Sequence, residues 1–352
     1  VDRPAPQPAL KTGAEHRRKT GTSHQETRMP RIPSSLAPFA IRALRRALLG
    51  AGLALLGASA QAGEIAVIVK TTNSSFWQNV NKGADAAIKE TTGHTLTFSG
   101  PASESAVADQ VNLVENAVNR RVAGIVLAPS DPDALVPAIK RAWEARIPVV
   151  LIDSRVSDAG KTYYQSFLST DNIAAGELCA KALIARVGTT GKVALMSYVA
   201  GAGSEADRVG GFKRYLQAHS KLEIVGPYYS QSQMATAMNQ TTDVLAAHRD
   251  LKALFGANEP TAVGMGRALV QSGRAGQVVA IGFDGNQDLQ KFVQDGTLEG
   301  IAVQSSFRMG YLGVKTVDEL LQRKPVPKFR DTGVVWVNKT NLQSPEARAV
   351  LY

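Results

Sequence analysis

From residue 64 onward, short apolar runs alternate with longer stretches whose apolar residues recur every three or four positions. The runs Ile65–Val69, Leu96–Phe98, Gly124–Ala128 and Pro148–Ile152 are rich in Val and Ile and show no polar alternation. Strands of this kind are covered on both faces, as in a parallel sheet held between helical layers. Helical periodicity occupies Phe76–Glu90, Ser105–Arg120 and Pro132–Ala145 between them. A second series follows, with strands at Lys192–Ser197, Glu223–Gly226, Ala253–Phe255, Val278–Ile281 and Gly300–Val303. Its helices fall near Asn172–Val187, Ser204–Ala218, Ala235–His248, Thr261–Ser272, Gln287–Gln294 and Met309–Arg323.

The alternation breaks at Tyr163–Asp171 and again at Lys324–Pro327, ahead of a lone strand at Val334–Val337. Two sheets of ordinary size suit such punctuation better than one very wide sheet. The expected fold is therefore α/β, with two doubly wound parallel-sheet lobes joined by a hinge of three chain crossings. Residues 63–168 plus 305–325 are assigned to the N-terminal lobe, and residues 169–304 plus 326–352 to the C-terminal lobe. The crossings are expected near Leu168–Asp171, Gln304–Ser306 and Lys324–Pro327.

Open α/β sheets bind ligands outside the carboxyl ends of their strands. Asn73, Phe76 and Trp77 follow the first strand, and Asp153 and Arg155 follow the fourth. Asn258, Asp284 and Gln304 follow strands of the second series. Each has a plain structural alternative: a helix cap for Asp153 and Asn258, a turn for Asp284, and core packing for the two rings. Their shared placement at one edge of the sheets favours a binding site. Lys70, at the end of the first strand, either points into that site or is solvated.

The formal charge of +10 changes this picture little. Residues 1–62 hold ten Lys/Arg against three Asp/Glu, leaving 30 basic and 27 acidic residues in the other 290. That balance does not call for nucleic acid. The leading segment reads as an upstream extension followed by an export signal. Arg42, Arg45 and Arg46 precede the apolar core Ala47–Leu56, which is too short to span a bilayer, and Ala60-Gln61-Ala62 offers a cleavage site. Met29 is the expected start, and general secretion to the periplasm the expected route. The single cysteine, Cys179, excludes an intramolecular disulfide and lies far from any lipidation position. It sits in an apolar helical pattern and reads as a core residue.

The segments NSSFW (73–77), GIVLAPSDPDAL (124–135), IPVVLID (147–153), STDN (169–172), ADRVGGF (206–212), ALFGANE (253–259), IGFDG (281–285) and AVQ (302–304) share an order and spacing. Together they make the chain resemble the ribose-binding-protein branch of periplasmic sugar-binding proteins, from Glu64 to about Val337. The resemblance implies the type I periplasmic binding fold and a receptor role in an ABC transporter. Closure of the lobes on a monosaccharide or polyol, and docking on an inner-membrane permease, are implied with it. Phe76 and Trp77 then take the positions of rings that sandwich the ligand. Arg208, Asn258 and Asp284 take second-lobe contacts, and Gln304 the hinge glutamine. The family's Asp-Arg pair departs here to Asp153-Ser154, with Arg155 one place later, and the family's asparagine near the first loop is Ser74. The usual second-lobe aromatic has no clear match, with Tyr228 or Tyr229 as candidates. Arg208 on its helix has a surface salt bridge as its plain alternative.

The chemistry suits such a ligand. Carboxylates, amides and guanidinium groups satisfy hydroxyls that both donate and accept, while aromatic faces cover C–H patches. Gly201-Ala202-Gly203-Ser204-Glu205-Ala206 has the form of a dinucleotide loop, with Glu223 about twenty residues on. It follows the wrong strand, so a nicotinamide-dependent oxidoreductase is the lesser alternative. His94, His219 and His248 are isolated, and no cofactor, metal or catalytic residue is expected. A transcription regulator on the same core would need a DNA-binding segment where the leader lies. A periplasmic sensor serving a chemoreceptor or kinase stays compatible with the sequence. A monomer without nucleic-acid partners is expected.

Overall fold

The computed structural model describes residues 63–91 and 93–352. The extension, the export signal and the cleavage position therefore lie outside the described residues. Two six-stranded sheets organise the rest. The first comprises β1 (Glu64–Ile68), β2 (Thr95–Ser99), β3 (Gly124–Leu127), β4 (Val149–Ile152), β5 (Ser166–Ser169) and β11 (Phe329–Asp331). Its order is β2-β1-β3-β4-β5-β11, with every pair parallel. The second comprises β6 (Thr190–Ser197), β7 (Lys221–Tyr229), β8 (Leu251–Gly256), β9 (Val279–Phe283), β10 (Gly300–Gln304) and β12 (Val334–Asn338). Its order, β7-β6-β8-β9-β10-β12, repeats the first, but β12 runs antiparallel to β10.

The unbroken apolar runs are explained by what covers them. All four residues of both β3 and β4 are buried. Along β1, Ile65 and Val67 enter one core cluster while Ala66 and Ile68 enter another, because successive side chains point to opposite faces. In the first lobe, α1 (Ser75–Ile88) and α9 (Ser306–Leu321) cover one face, with α2 (Val107–Asn119) and α3 (Val136–Glu144) on the other. In the second lobe, α4 (Asn172–Val187) and α5 (Gly203–His219) lie opposite α6 (Met234–Ala247), α7 (Glu259–Gln271) and α8 (Gln287–Asp295). A short α10 (Pro345–Arg348) adds Ala347 to the latter side.

The lobe boundaries need one correction. β11 pairs with β5 in the first sheet, so residues 329–331 belong with the N-terminal lobe rather than with the C-terminal one. The chain crosses three times, at 169–172, 304–306 and 331–334, so the last crossing lies beyond Lys324–Pro327. The Lys-Pro-Val-Pro segment breaks the sequence pattern without being the hinge. The break at Tyr163–Asp171 likewise hides β5, whose four residues are too few to show a period.

Three helix pairs pack backbone to backbone, two of them most closely. A Cβ on Gly83 of α1 would fall 1.9 Å from the Phe307 carbonyl oxygen, and one on Gly310 of α9 would fall 2.0 Å from that of Val80. In the second lobe, a Cβ on Gly176 of α4 would lie 2.0 Å from the carbonyl of Arg208 on α5. These atoms cannot yield without separating the helices. Gly310→Ala is expected to cost about 1–3 kcal/mol, lowering the melting temperature of the protein by several degrees in a calorimetric scan.

Candidate functional site

The carboxyl ends of both sheets face one another across a cleft, and the helices that begin there place the site residues. Ser74 caps α1 through the Trp77 amide (3.4 Å), which fixes the two rings that follow it. Phe76 and Trp77 are both buried and meet edge to face, with centroids 4.8 Å apart at 89°. The Trp77 indole donates to Glu104 Oε1 at 2.9 Å.

Asp153 and Asp284 occupy equivalent places, each directly after the fourth strand of its sheet. Both have left-handed backbones, with φ of 62° and 75°, where a residue other than Gly, Asn or Asp is strained. Both carboxylates are almost fully buried. Asp284 accepts from Gln304 Nε2 and from the Glu259 amide, both at 2.9 Å. Burial pushes its carboxyl up to about 6, against the opposing pull of Arg208 and Gln304.

Arg208 is a fully buried guanidinium. Its Nε and Nη2 donate to Asn172 Oδ1 at 3.0 and 2.7 Å, its Nη1 donates to the Ala257 carbonyl at 2.6 Å, and Nη2 also donates to Gln304 Oε1 at 3.2 Å. Its Cζ lies 3.6 Å from the Phe283 ring centroid. Asn258 does serve as a cap, its Oδ1 accepting from the Thr261 amide at 3.2 Å. Its Nδ2 remains to donate to Ser232 Oγ at 3.0 Å, beside the cavity.

Seven of the nine predicted residues line one cavity: Phe76, Trp77, Asp153, Arg208, Asn258, Asp284 and Gln304. The space measures about 310 Å3, part of it open to solvent. Two predicted residues do not reach it. Asn73 is exposed and donates to the Ala102 carbonyl at 2.9 Å, facing an outer cleft instead. Arg155 points outward and forms a two-pronged bridge to Asp207 of the second lobe, at 2.8 and 2.9 Å. The resemblance placed an arginine at position 154, and its neighbour does not fill in.

Lys70 supplies the missing charge. Its Nζ lies 2.6 Å from Asp153 Oδ2 and donates to Ser154 Oγ at 2.7 Å and Ser204 Oγ at 3.2 Å, with both ionic side chains buried. A lysine from β1's exit thus stands against Asp153 where a shorter Ser154 leaves room. Sequence reasoning missed Glu104, Tyr198, Ser204 and Glu259, which also line the cavity. Tyr198 follows β6 and Glu104 follows β2, so the strand-end rule covers both. Ser204 bonds Tyr198 Oη (2.9 Å), and burial raises the Tyr198 hydroxyl well above its usual value. Tyr228 packs against the second-lobe core, so the second-lobe ring in the cavity is Tyr198 rather than Tyr228 or Tyr229.

The glycine-rich loop at 201–206 has a different use from phosphate binding. A Cβ on Gly203 would lie 2.6 Å from the Arg155 carbonyl, and the Ser204 amide donates to Ser154 Oγ at 3.2 Å. The loop's small residues let the second lobe approach the first. Cys179 is buried, and its thiol is pushed up to about 12 by burial. Among the described residues no group of three or more His, Cys, Asp or Glu is placed to hold a metal. None of their helices is long and apolar enough to cross a membrane.

Known proteins match the chain in sequence and in fold. The family described as periplasmic binding protein domain matches residues 65–325. The D-allose-binding periplasmic protein of Escherichia coli is 30% identical over 284 residues, covering 78% of this chain and 90% of that protein. The ribose import binding protein of the same organism is 29% identical over 262 residues, covering 74% and 86%. An ABC transporter solute-binding protein from Agrobacterium vitis, solved with bound D-fucose, is 71% identical with a TM-score of 0.82. That match covers 82% of this chain and all of the other. A carbohydrate transporter solute-binding protein from Agrobacterium radiobacter, in complex with D-arabinose, is 32% identical with a TM-score of 0.79, covering 84% and 100%.

Lys70→Met would leave Asp153 buried without its cation. The expected cost is about 3–5 kcal/mol, read as a lower midpoint in urea unfolding, and an unchanged midpoint would refute the pairing.

Proposed function

We propose a function from one premise: the chain belongs to the periplasmic binding protein domain family. It is a solute receptor of an ABC importer that captures a monosaccharide between its lobes and presents it to a membrane permease. The cavity carries this reading. Two aromatic rings from one lobe face a ring of buried carboxylate, amide and guanidinium groups drawn from both lobes. Such a set covers the C–H face of a pyranose while matching its hydroxyls with fixed donors and acceptors. A flat or charged solute would leave part of that set unpaired at a cost.

The D-fucose held by the 71% identical relative narrows the class to 6-deoxy aldohexoses and similarly configured sugars. Asp153, Asp284, Asn258 and Gln304 would accept or share hydroxyl protons, Arg208 would donate, Lys70 would hold Asp153 in place, and Phe76 and Trp77 would stack. Closure turns on the three crossings near 169–172, 304–306 and 331–334, each a short backbone link able to absorb a rotation. Export to the periplasm through the signal at residues 29–62 fits the same role. No step of bond making is assigned, because the relatives are named as binding and import proteins.

Isothermal titration with D-fucose tests the site. Asp153→Asn and Asp284→Asn are each expected to weaken binding roughly ten- to a hundredfold, as the loss of a charge-assisted bond implies. Arg155→Ala should hold affinity within about threefold, since its bridge to Asp207 is exposed. Full affinity in both aspartate variants would sink the assignment.

A further inference from the structure

Glu259 is the first residue of α7, in the second lobe, yet its side chain acts on the first. Its Oε1 accepts from the Ser75 amide at 3.0 Å, at the opening turn of α1. That turn contains no acidic residue of its own, and the opposite lobe supplies the acceptor for one of its free amides. Oε2 accepts from the Tyr352 hydroxyl at 2.9 Å. Tyr352 is itself anchored in the second lobe, its amide donating to the Gly285 carbonyl at 3.2 Å and its carbonyl accepting from Gln290 at 3.2 Å. Its side chain nevertheless packs against the first-lobe core cluster that includes Phe76 and Trp77.

We propose that Glu259 and Tyr352 form a closure latch: they fasten the second lobe to the first turn of α1 and make the closed state sensitive to pH. The inference rests on the hinge-closure reading above. It adds two positioning residues whose principal partners are protein groups of the facing lobe.

The charges around Glu259 set the sign. Asp284 lies directly behind it, and Asp288 and Glu104 share the outer cleft with it. Lys70, Asp153 and Arg208 line the inner cavity, but the groups acting on Glu259 include no cation. α1 presents only amides, and the 352 segment only a tyrosine hydroxyl. Burial, followed by Asp284, raises the Glu259 carboxyl to about 8, outweighing Tyr352 and the Ser75 and Phe76 amides. Opening the cleft returns it to water and removes the largest cause of the shift, so the carboxyl falls toward its ordinary 4.5 while Asp284 stays beside it in the same lobe. Between those two values closure takes up a proton, so the closed form is fully favoured at the acidic end and loses ground as pH rises through about 8. The closed-to-open ratio falls by at most about tenfold per pH unit, the limit for one proton.

Small-angle X-ray scattering of the ligand-free mature chain at pH 5.5, 7.0 and 8.5 reads this directly. The expected result is a radius of gyration that grows with pH in the wild type. Glu259→Gln, a neutral mimic of the protonated acid, should stay compact throughout, while Glu259→Ala and Tyr352→Phe should be more open at every pH. A pH response in Glu259→Gln equal to wild type, or none in wild type, overturns the latch. The same series with saturating D-fucose separates the two readings. Compaction by the sugar that is indifferent to Glu259 and pH defeats the latch alone, and no compaction in any sample defeats the hinge reading with it.

Discussion

The second lobe's half of the site hangs on one buried cation. Arg208 has no carboxylate in direct hydrogen-bond contact; it is held by an asparagine, a backbone carbonyl, a glutamine and the face of Phe283. Burying a guanidinium this way is costly unless every donor is used and an opposite charge stands near. Asp284 supplies that charge through Gln304, which donates to one and accepts from the other. Since Asn172 opens α4 and Gln304 closes β10, the network clamps two of the three chain crossings to the ligand cavity. The Gly176 contact, which sets α4 hard against the Arg208 backbone, serves the same end.

The first lobe solves its electrostatics differently. There Lys70 and Asp153 form a direct pair, with Ser154 bonded to both. Contacts across the cleft then join the halves: Lys70 and Ser154 to Ser204, Glu104 to Ser232, and Arg155 to Asp207. Most of these are hydrogen bonds that water would replace in an open cleft, so each adds little net free energy. A receptor balanced in this way can be tipped by a small solute, because the ligand needs only a modest difference in affinity between states.

Much of the fold and most of the site could be read from the chain, for identifiable reasons. Parallel strands buried on both faces leave unbroken Val and Ile runs, and cleft residues follow strand ends, so Asp153, Asn258, Asp284 and Gln304, which line one cavity, stood out. β5 and β11 did not, being four and three residues long with partly polar composition. Arg155 misled because the sequence neighbour of a missing arginine resembles a shifted copy of it. Side chains one residue apart leave a strand end in different directions, and only the structure shows that Arg155 turns to Asp207. Lys70 and Ser154 are 84 positions apart, and their exchange of charge for space leaves no local pattern. For Asn258 the cap reading holds, its oxygen accepting from Thr261 while its nitrogen donates to Ser232 beside the cavity.

The left-handed backbones of Asp153 and Asp284 constrain how this receptor could change its diet. At such a conformation only Asp, Asn and Gly sit without appreciable strain. A lineage shifting to a new solute would therefore meet a backbone veto at the two carboxylates in the middle of its cavity. Variation would pass instead to side chains on ordinary backbone around them. Tyr198 and Ser204 line the cavity on such backbone, and a library meant to retune selectivity would randomise those two and leave both aspartates and Lys70 alone.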